Sequence, residues 1–383
     1  MDSMDFSLTP EQEMLRKAMQ EFAEKELLPR AQQLDESGEF PRSIINKIAD
    51  LGLIGIVIPA EYGGSPMGHL ARMISIEELS RAYASMGLFL QATPLGLWAI
   101  LHFGTEDQKK KYIPPVVRGE KIMCMAATEP TGGSDPQSIK TRAKLEGDSY
   151  IVNGSKCFIT NGAIADTCVF TARTGEGPTG LSAFVVEKGT KGFEPGMREQ
   201  HAGMRSMIVS EIVFKNCRIP KEDLVGKEGD GLRATLKTIS EIGRMGNTGA
   251  ALGIARASYE TALKFAKEKQ LYGKPIAELE AIQFMLADMS IETQAARWLA
   301  YHAAWLLDQG KTGREIAKEI ASAKAYSSEV ARRNALTAIQ IHGAYGTLPE
   351  FNVMRYLRDS LEAMSAGGTN EIMRTVIARE ILK

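Results

Sequence analysis

The sequence predicts an α+β fold in which an N-terminal helical domain, a central β domain and a C-terminal four-helix bundle follow one another. Across its 383 residues, apolar residues recur at helical spacing in the first third, short β-branched and aromatic runs fill the middle third, and long amphipathic patterns return in the last third. We place the domains at 1–125, 126–225 and 226–383. No long helical pattern separates the strand-like runs, so the sheet is expected to be antiparallel, as a barrel or sandwich.

The first helix has a start signal in the sequence. Thr9 is followed by Pro10 and, three residues after the threonine, by Gln12, which is the pattern of a capping box. Apolar residues then continue at helical spacing, and we expect this helix to run on until Gly38. Shorter helices are expected over 42–51 and 71–83.

Residues 82–105 contain no Asp, Glu, Lys or Arg and are long enough to cross a membrane. Gln91, Thr93 and Pro94 interrupt the apolar pattern, together with three glycines. This content favours a helix buried at the centre of the fold over a membrane span.

The composition excludes several classes of protein. A net charge of −1 gives no support for a nucleic-acid or membrane-surface partner. Four scattered cysteines without a CxxC pattern favour neither a disulfide scaffold nor a zinc site, and no metal is expected. The first six residues lack the basic and apolar stretches of a signal peptide, so we expect a cytoplasmic protein with reduced thiols.

One motif in the middle third is misleading. Residues 175–180 fit the GxGxxG pattern, but they contain a proline and are followed by a strand-like run. A dinucleotide-binding loop follows a strand and opens a helix, so a hairpin loop is the better interpretation. Strand-like runs begin at Tyr150, Lys156, Thr167, Leu181 and Ser210, and later helical patterns cover 279–307 and 315–341.

Five further segments form an ordered set. They are residues 128–135, 154–162, 272–276, 340–346 and 367–374. With the helix–sheet–helix layout, this set resembles the acyl-CoA dehydrogenase family, and the resemblance covers residues 5–382. Each segment alone is a weak or moderate match, and the specificity comes from their order and spacing.

The resemblance implies an FAD site between the β domain and the C-terminal helices, partly formed by a neighbouring subunit. In the β domain it implies that Thr128 and Thr160 bond the flavin ring, that Phe158 packs on it, and that Ser134 lies near flavin and pantetheine. Near the C-terminus it implies that Thr369 and Glu371 meet FAD.

The predicted contacts to the ADP half of FAD depart from the family pattern. Gln340, Gly343 and Gly346 match a loop that approaches the FAD pyrophosphate, where missing side chains allow amide contact. Lys269 and Tyr272 stand where the family usually has Arg and Phe, and lysine lacks the planar fork of arginine. The usual Gln after the next turn is Glu280, and Ala344 replaces a glycine. We expect FAD to bind with altered contacts to this half.

The resemblance also implies a site for a CoA thioester. Glu241 and Arg244 match an Asp-x-x-Arg sequence that holds CoA in the family, with Glu in place of Asp. The alternative interpretation of this pair is a surface ion pair at i,i+3 spacing. Ala366 and Gly367 replace the Tyr-Glu pair next to the thioester.

The usual catalytic base is absent. Gly367 occupies the position of the family's catalytic Glu, and Gly243 occupies the second position at which some relatives carry it. Relatives acting on cyclic acyl-CoAs instead use an acidic residue in the buried middle helix, where this sequence offers only Gln91 and Thr93, neither of them a base at neutral pH. The backbone N–H of residue 367 is still expected to polarise the thioester carbonyl.

These features lead to a first hypothesis of FAD-dependent dehydrogenation of a cyclic or branched acyl-CoA, since small residues at 366 and 367 widen the pocket. The alternative is an FAD and acyl-CoA binding protein without dehydrogenase turnover. A third possibility is that Gly367 is an engineered change. The family implies an electron-transfer flavoprotein or similar acceptor as partner, and a homotetramer.

Overall fold

The computed structural model describes residues 7–383, so the expectations for the first six residues lie outside the described part of the chain. Six helices form the N-terminal domain. They are α1 (Pro10–Phe22), α2 (Ala31–Ser37), α3 (Arg42–Asp50), α4 (His69–Ala82), α5 (Ala84–Phe103) and α6 (Glu106–Val117).

The predicted capping box at the start of α1 is confirmed. The Thr9 hydroxyl accepts a hydrogen bond from the backbone N–H of Gln12, and the Gln12 side chain accepts one from the N–H of Thr9. The chain stays helical up to Gly38, as expected, but the helix changes type on the way, through a π-helical segment (Ala23–Leu27) and a 3₁₀ turn (Leu28–Arg30). Pro29 lies in a short 3₁₀ turn between α1 and α2, because proline has no N–H to donate within a helix. Gly38, at a φ of 62°, ends α2.

The uncharged segment forms α5, which lies in the core as predicted. This helix is long and apolar enough to cross a membrane by composition alone, and 89% of its apolar window is buried inside the fold. It packs on α4 and on the later helix α8 (Met245–Glu268), and it also contacts strand β1 (Met123–Ala126). It therefore connects the helical layers to the β domain.

The β domain contains one sheet of eight strands. They are β1 (Met123–Ala126), β2 (Arg142–Glu146), β3 (Ser149–Thr160), β4 (Thr167–Arg173), β5 (Leu181–Glu187), β6 (Phe193–Arg198), β7 (Val209–Pro220) and β8 (Leu224–Val225). Their order is β6-β7-β3-β2-β4-β5-β8, with β1 beside β4.

Two pairings correct the expectation of an antiparallel sheet. Strand β1 runs parallel to β4, and β2 meets β4 in parallel through Arg142 and Arg173. The remaining pairings are antiparallel. Parallel neighbours need a long connection, and here the β2–β3 hairpin between β1 and β4 supplies it without a helix.

Strand β3 also differs from the prediction, because the two runs expected around Gly154 form one strand. Its pairing with β7 shifts in register between Val152 and Gly154 and again between Lys156 and Ile159. Such bulges let one strand change direction without ending. The GxGxxG segment lies between β4 and β5 and ends in a 3₁₀ turn, so the prediction of a hairpin loop is confirmed.

The C-terminal domain is helical. Its elements are α7 (Gly231–Thr238), a π-helical segment (Ile239–Arg244), α8 (Met245–Glu268), the hairpin of β9 (Gln270–Leu271) and β10 (Lys274–Pro275), α9 (Glu280–Asp308), α10 (Ala317–His342), α11 (Val353–Ser365) and α12 (Asn370–Ile381). Helix α10 packs against α8, α9, α11 and α12. Residues 366–369 connect α11 to α12 and form the 366–369 loop.

Candidate active site

A buried arginine joins two irregular helical segments. Pro94 inside α5 has no N–H, which leaves the carbonyl of Leu90 without its helical partner. Arg72 donates to that oxygen at 3.3 Å and to the carbonyl of Ile242 in the π-helical segment at 3.3 Å. Burial lowers the pKa of Arg72 to about 9. This side chain therefore fixes the π-helical segment against α5.

Gln91, the pocket residue proposed from sequence, reaches the same segment. Its Nε2 donates to the carbonyl oxygen of Gly243 at 3.2 Å, and the residue is buried. A Cβ on Gly243 would lie 3.4 Å from Leu95 and 3.5 Å from the Gln91 amide. Gln91 therefore lies beside the second position at which relatives carry the base, and its neutral amide cannot serve as one.

Glu241 is held by residues of α5 and α7. It is 2% exposed, accepts a hydrogen bond from Trp98 Nε1 at 2.9 Å, and pairs with Lys237 Nζ at 2.8 Å. No ion pair joins it to Arg244 within residues 7–383, so the alternative of a surface i,i+3 pair is wrong. The pair does not form because the segment is π-helical and because Trp98 binds Glu241, and sequence periodicity indicated neither feature.

Gly367 lies directly on Arg244. The Arg244 Nε donates to the carbonyl oxygen of Gly367 at 3.0 Å, and a Cβ on Gly367 would meet Arg244 Cγ at 3.4 Å, an ordinary contact. The φ values of Gly367 and Gly368 are 70° and 107°, in the left-handed region that favours glycine. Ala366 precedes them in an extended conformation. Arg244 and Gly367, which the motifs predict as substrate-binding residues, are thus in direct contact.

Lys324 on α10 also supports this loop, and sequence reasoning missed it. Its Nζ donates to the carbonyls of Met364 and Gly368 at 2.7 Å each and to the Asn370 side chain at 2.9 Å. Burial, and then repulsion from Arg244, lower the pKa of Lys324 to about 8. A lysine among alanines on the apolar face of a helix is the sequence signal that could have found it.

The end of strand β3 brings the predicted flavin residues to α5. Phe158 is 63% exposed and has a φ of 56°, unusual for an aromatic side chain. Thr160 pairs with Val209 at the last rung of the sheet. The next residue, Asn161, donates from Nδ2 to the Thr93 hydroxyl on α5 at 3.3 Å. Contacts thus run from Thr160 through α5 and the π-helical segment to the 366–369 loop.

An internal ion pair fixes the loop that carries Thr128. Glu129 accepts hydrogen bonds from Lys156 Nζ at 2.7 Å and from the backbone N–H groups of Lys140 and Thr141 at 2.7 and 3.0 Å. Burial raises the pKa of Glu129, but the neighbouring Lys156 and the other hydrogen bonds to this carboxylate together lower it by more, so the pKa lies below its usual value. The backbone of Thr128 accepts from Cys157 at 3.0 Å. Ser134 lies on the exposed part of the loop.

The segments predicted for the ADP half of FAD form a second cluster. Lys269 Nζ lies 4.7 Å from the ring centre of Tyr345, which joins the 269–273 hairpin to the turn after α10. Tyr272 is 85% exposed at the hairpin tip. A Cβ on Gly346 would lie 2.7 Å from the carbonyl of Ile339, so only glycine fits there, whereas Gly343 is open.

The two clusters are far apart within one chain. Lys324 and Gln340 lie on the same helix, and sixteen residues at the helical rise separate them by about 24 Å. Thr369, which caps α12 by accepting from Ile372, and Glu371 in its first turn belong to the cluster at Lys324. The pKa of Glu371 is lowered mainly by a hydrogen bond from the backbone.

The fold and this arrangement define a protein in which the end of the β sheet, a buried middle helix and the 366–369 loop are joined by a chain of contacts. The sequence matches the acyl-CoA dehydrogenase N-terminal domain over residues 9–120, the middle domain over 124–217 and the C-terminal domain over 229–382. The chain belongs to the acyl-CoA dehydrogenase family, and it is an oxidoreductase of that family.

Relatives and solved structures match along the whole chain. An acyl-CoA dehydrogenase of Bacillus subtilis is 41% identical over 98% of this chain and 99% of its own length. A cyclohex-1-ene-1-carbonyl-CoA dehydrogenase of Geobacter metallireducens is 39% identical over 98% and 99%. The structure of butyryl-CoA dehydrogenase from Megasphaera elsdenii has a TM-score of 0.96 at 36% identity, covering 99% of this chain and 100% of that one. A structure described as the electron transferring flavoprotein of Acidaminococcus fermentans has a TM-score of 0.96 at 40% identity, with coverage of 99% and 100%.

Proposed function

We propose that this protein oxidises an acyl-CoA thioester with a cyclic or branched acyl group, using FAD. The observation that carries the proposal is the pair of glycines at 243 and 367, both close to Arg244, with Ala366 beside them. Missing side chains at these positions leave a wider space than a Tyr-Glu pair would. The named activity of the Geobacter metallireducens relative supports the same substrate class.

The residues at the β3 end and in the turn after α10 fit FAD. Phe158 offers an exposed ring for packing, and the β3 end offers the backbone and hydroxyl of Thr160. The close backbone approach at Gly346 and the open turn at Gly343 suit a diphosphate, because backbone N–H groups can reach its oxygens. When bound, FAD supplies the hydride acceptor, whereas the chain binds and orients the thioester.

Activation of the thioester carbonyl is proposed to come from the 366–369 loop. Arg244 donates a hydrogen bond to the carbonyl oxygen of Gly367, and Lys324 donates one to that of Gly368. These bonds hold the peptide groups of the loop in one orientation. The backbone N–H of Gly367 is then available to the thioester oxygen as a pre-organised donor. Since neither Gly243 nor Gly367 offers a carboxylate, the α-proton must leave by a non-standard base, or a ring carbon further from the thioester must react.

We propose a homotetramer, because a neighbouring subunit must supply the ADP cluster that lies far from the 366–369 loop along α10. The outer face of α9 supports this assembly. Phe284, Ile291, Trp298 and Trp305 recur every seven residues on this helix and are 62%, 65%, 47% and 48% exposed. Such a repeat is typical of a helix that packs against another helix. We further propose electron-transfer flavoprotein as the electron acceptor. The similar structure from Acidaminococcus fermentans, which is described as an electron transferring flavoprotein, supports this proposal.

The test is a panel of acyl-CoA thioesters mixed anaerobically with the oxidised holoenzyme while the flavin absorbance is followed. Alicyclic or branched thioesters should bleach the flavin faster than straight-chain thioesters of equal carbon number. Bleaching by straight-chain thioesters alone would overturn the proposed substrate class. Thioester binding without any reduction would instead favour a binding protein without dehydrogenase turnover.

A further inference from the structure

Two cations converge on the 366–369 loop without a carboxylate between them. Lys324 is fully buried, and its three hydrogen-bond partners are two backbone carbonyls and an amide oxygen. Arg244 is half-buried, its Nε bonds a carbonyl, and within residues 7–383 no carboxylate lies at ion-pairing distance from it. Burying charge without a counter-charge is costly, so this arrangement suits an anion from outside the chain.

The nearest acidic side chains do not fill this role. Glu329 is paired with Arg374 at 2.5 Å and with Arg333 at 3.7 Å. Glu371 is exposed on α12, and Glu371 and Glu329 both raise the pKa of Lys324 only from a distance, without an ion pair to it. The charge of Arg244 and Lys324 at the loop therefore stays largely uncompensated.

The backbone places position 367 next to Arg244. A Cβ built on Gly367 would lie 3.4–3.5 Å from Arg244 atoms, which is ordinary van der Waals contact. The nearest of these atoms are Cγ, Cα and N, so a group at position 367 starts beside the stem of Arg244, whose guanidinium lies at the same loop through its bond to Gly367. Arginine presents a planar fork of N–H donors that matches a carboxylate.

We propose that the space over Arg244 at Gly367 is a carboxylate-binding site. The carboxylate belongs either to the acyl group of the substrate, close to the thioester carbonyl, or to a small free acid such as acetate. The inference rests on the proposed function, because it places the acyl group beside this loop. It narrows the substrate to a cyclic or branched acyl-CoA that carries an acid group near the thioester, or adds a small carboxylate as co-ligand.

The test uses calorimetric titration of the anaerobic holoenzyme with two matched thioesters. One is the mono-CoA thioester of cyclohexane-1,2-dicarboxylic acid, and the other is 2-methylcyclohexanecarboxyl-CoA, which has similar size and no acid group. The Kd of the first should be at least about tenfold lower, and Arg244→Met should remove the difference. In a second arm, 2-methylcyclohexanecarboxyl-CoA is titrated in sodium acetate and in sodium chloride at equal ionic strength. Acetate should lower the Kd of this thioester if the free acid is the ligand.

Two substitutions at the site separate charge from size. Gly367→Asp places a tethered carboxylate over Arg244 and should abolish the preference in both arms, whereas Gly367→Asn, of the same shape, should keep it in part. Asp and Asn tolerate the left-handed conformation better than most residues. A preference in either wild-type arm that survives in Asn and disappears in Asp supports the site and identifies the source.

The Kd values of the two thioesters distinguish a wrong carboxylate site from a wrong proposed function. If both thioesters bind and perturb the flavin spectrum with equal Kd, and acetate has no effect, the carboxylate site is overturned while the proposed function stands. If neither thioester binds, the proposed function itself is overturned. Equal loss of the preference in the Asp and Asn variants would also overturn the site, because size rather than charge would then explain it.

Discussion

Arg244 Nε donates a hydrogen bond to the carbonyl oxygen of Gly367 at 3.0 Å. This contact joins the end of the π-helical segment to the loop before α12, across 123 residues of sequence. It turns the carbonyl of the glycine toward the arginine and fixes where a side chain at position 367 would point. We propose that this glycine marks the place from which the family's usual glutamate is missing.

Replacing that glycine should create ordinary α,β-dehydrogenation. Gly367→Glu places a carboxylate beside Arg244, and general-base help is typically worth about 10²–10⁴-fold. The left-handed φ of 70° costs a non-glycine residue about 1–2 kcal/mol, so the variant will be less stable. The measurement is the rate of flavin bleaching by butyryl-CoA. Gly367→Ala carries the same strain without the acid, and equal rates in both variants would contradict the placement of residue 367.

Lys324 should contribute strongly to stability. Lys324→Met leaves the carbonyls of Met364 and Gly368 buried without a donor, which should lower the free energy of unfolding by about 2–4 kcal/mol. Urea unfolding monitored by circular dichroism measures it. Lys318→Met on the same helix is the control, since Lys318 is 48% exposed and pairs only with its neighbour Glu319. A loss below about 0.5 kcal/mol for Lys324 would show that water or another group replaces the lysine.

His69 should make the protein less stable in acid. Burial, and then Arg72 and Lys237, lower the pKa of His69 to about 3, and its Nδ1 is buried without a hydrogen-bond partner. The unfolded chain takes up a proton below about pH 6.5 and the folded chain does not, so stability is lost as the pH falls from 6.5 toward 3. Between pH 6.5 and 5 this residue should account for at most about 2 kcal/mol.

The measurement for His69 is the urea midpoint from pH 7 to pH 5. His69→Phe cannot titrate and should lose part of this pH dependence, while the nearby His102, whose pKa burial lowers to about 4, stays in place. An unchanged pH slope in His69→Phe would show that other groups cause it.

Gly343 should matter for FAD more than for stability. Gly343 and Gly313 share a φ of 59°, and a Cβ on either would meet nothing within 4 Å. Gly343→Ala and Gly313→Ala should each lower the free energy of unfolding by about 1 kcal/mol or more, because both place a side chain at positive φ. Only Gly343→Ala should weaken FAD binding, measured as the Kd for FAD after reconstitution. Equal FAD affinity in both variants would remove the turn after α10 from the proposed FAD site.

The exposed face of α9 should be required for assembly. Ile291→Asp puts a charge at the middle of the seven-residue repeat, where the side chain is 65% exposed in the single chain. Light scattering after gel filtration should show a smaller species than for the unmodified protein. Gln33→Asp, on an exposed position of α2, is the control and should leave the mass unchanged. An unchanged mass for Ile291→Asp would contradict this interface.

The sequence by itself determined the order of domains and the identity of most motif residues. The capping box at Thr9, the buried helix from Ala84 and the hairpin loop at 175–180 depend on local pattern, and local pattern is written in consecutive residues. The lack of a carboxylate at 243 and 367 was also visible in the sequence, because it is a matter of residue identity and spacing.

Tertiary structure alone decided what these residues touch. The parallel pairing of β1 with β4, the burial of Glu241 against Trp98, and the contact of Lys324 with the 366–369 loop each join segments that lie far apart in the chain. Periodicity reports which face of an element is buried and carries no information on which partner that face meets. The partners depend on how the whole chain packs, and for that reason the two cations at Gly367 emerged only from the folded structure.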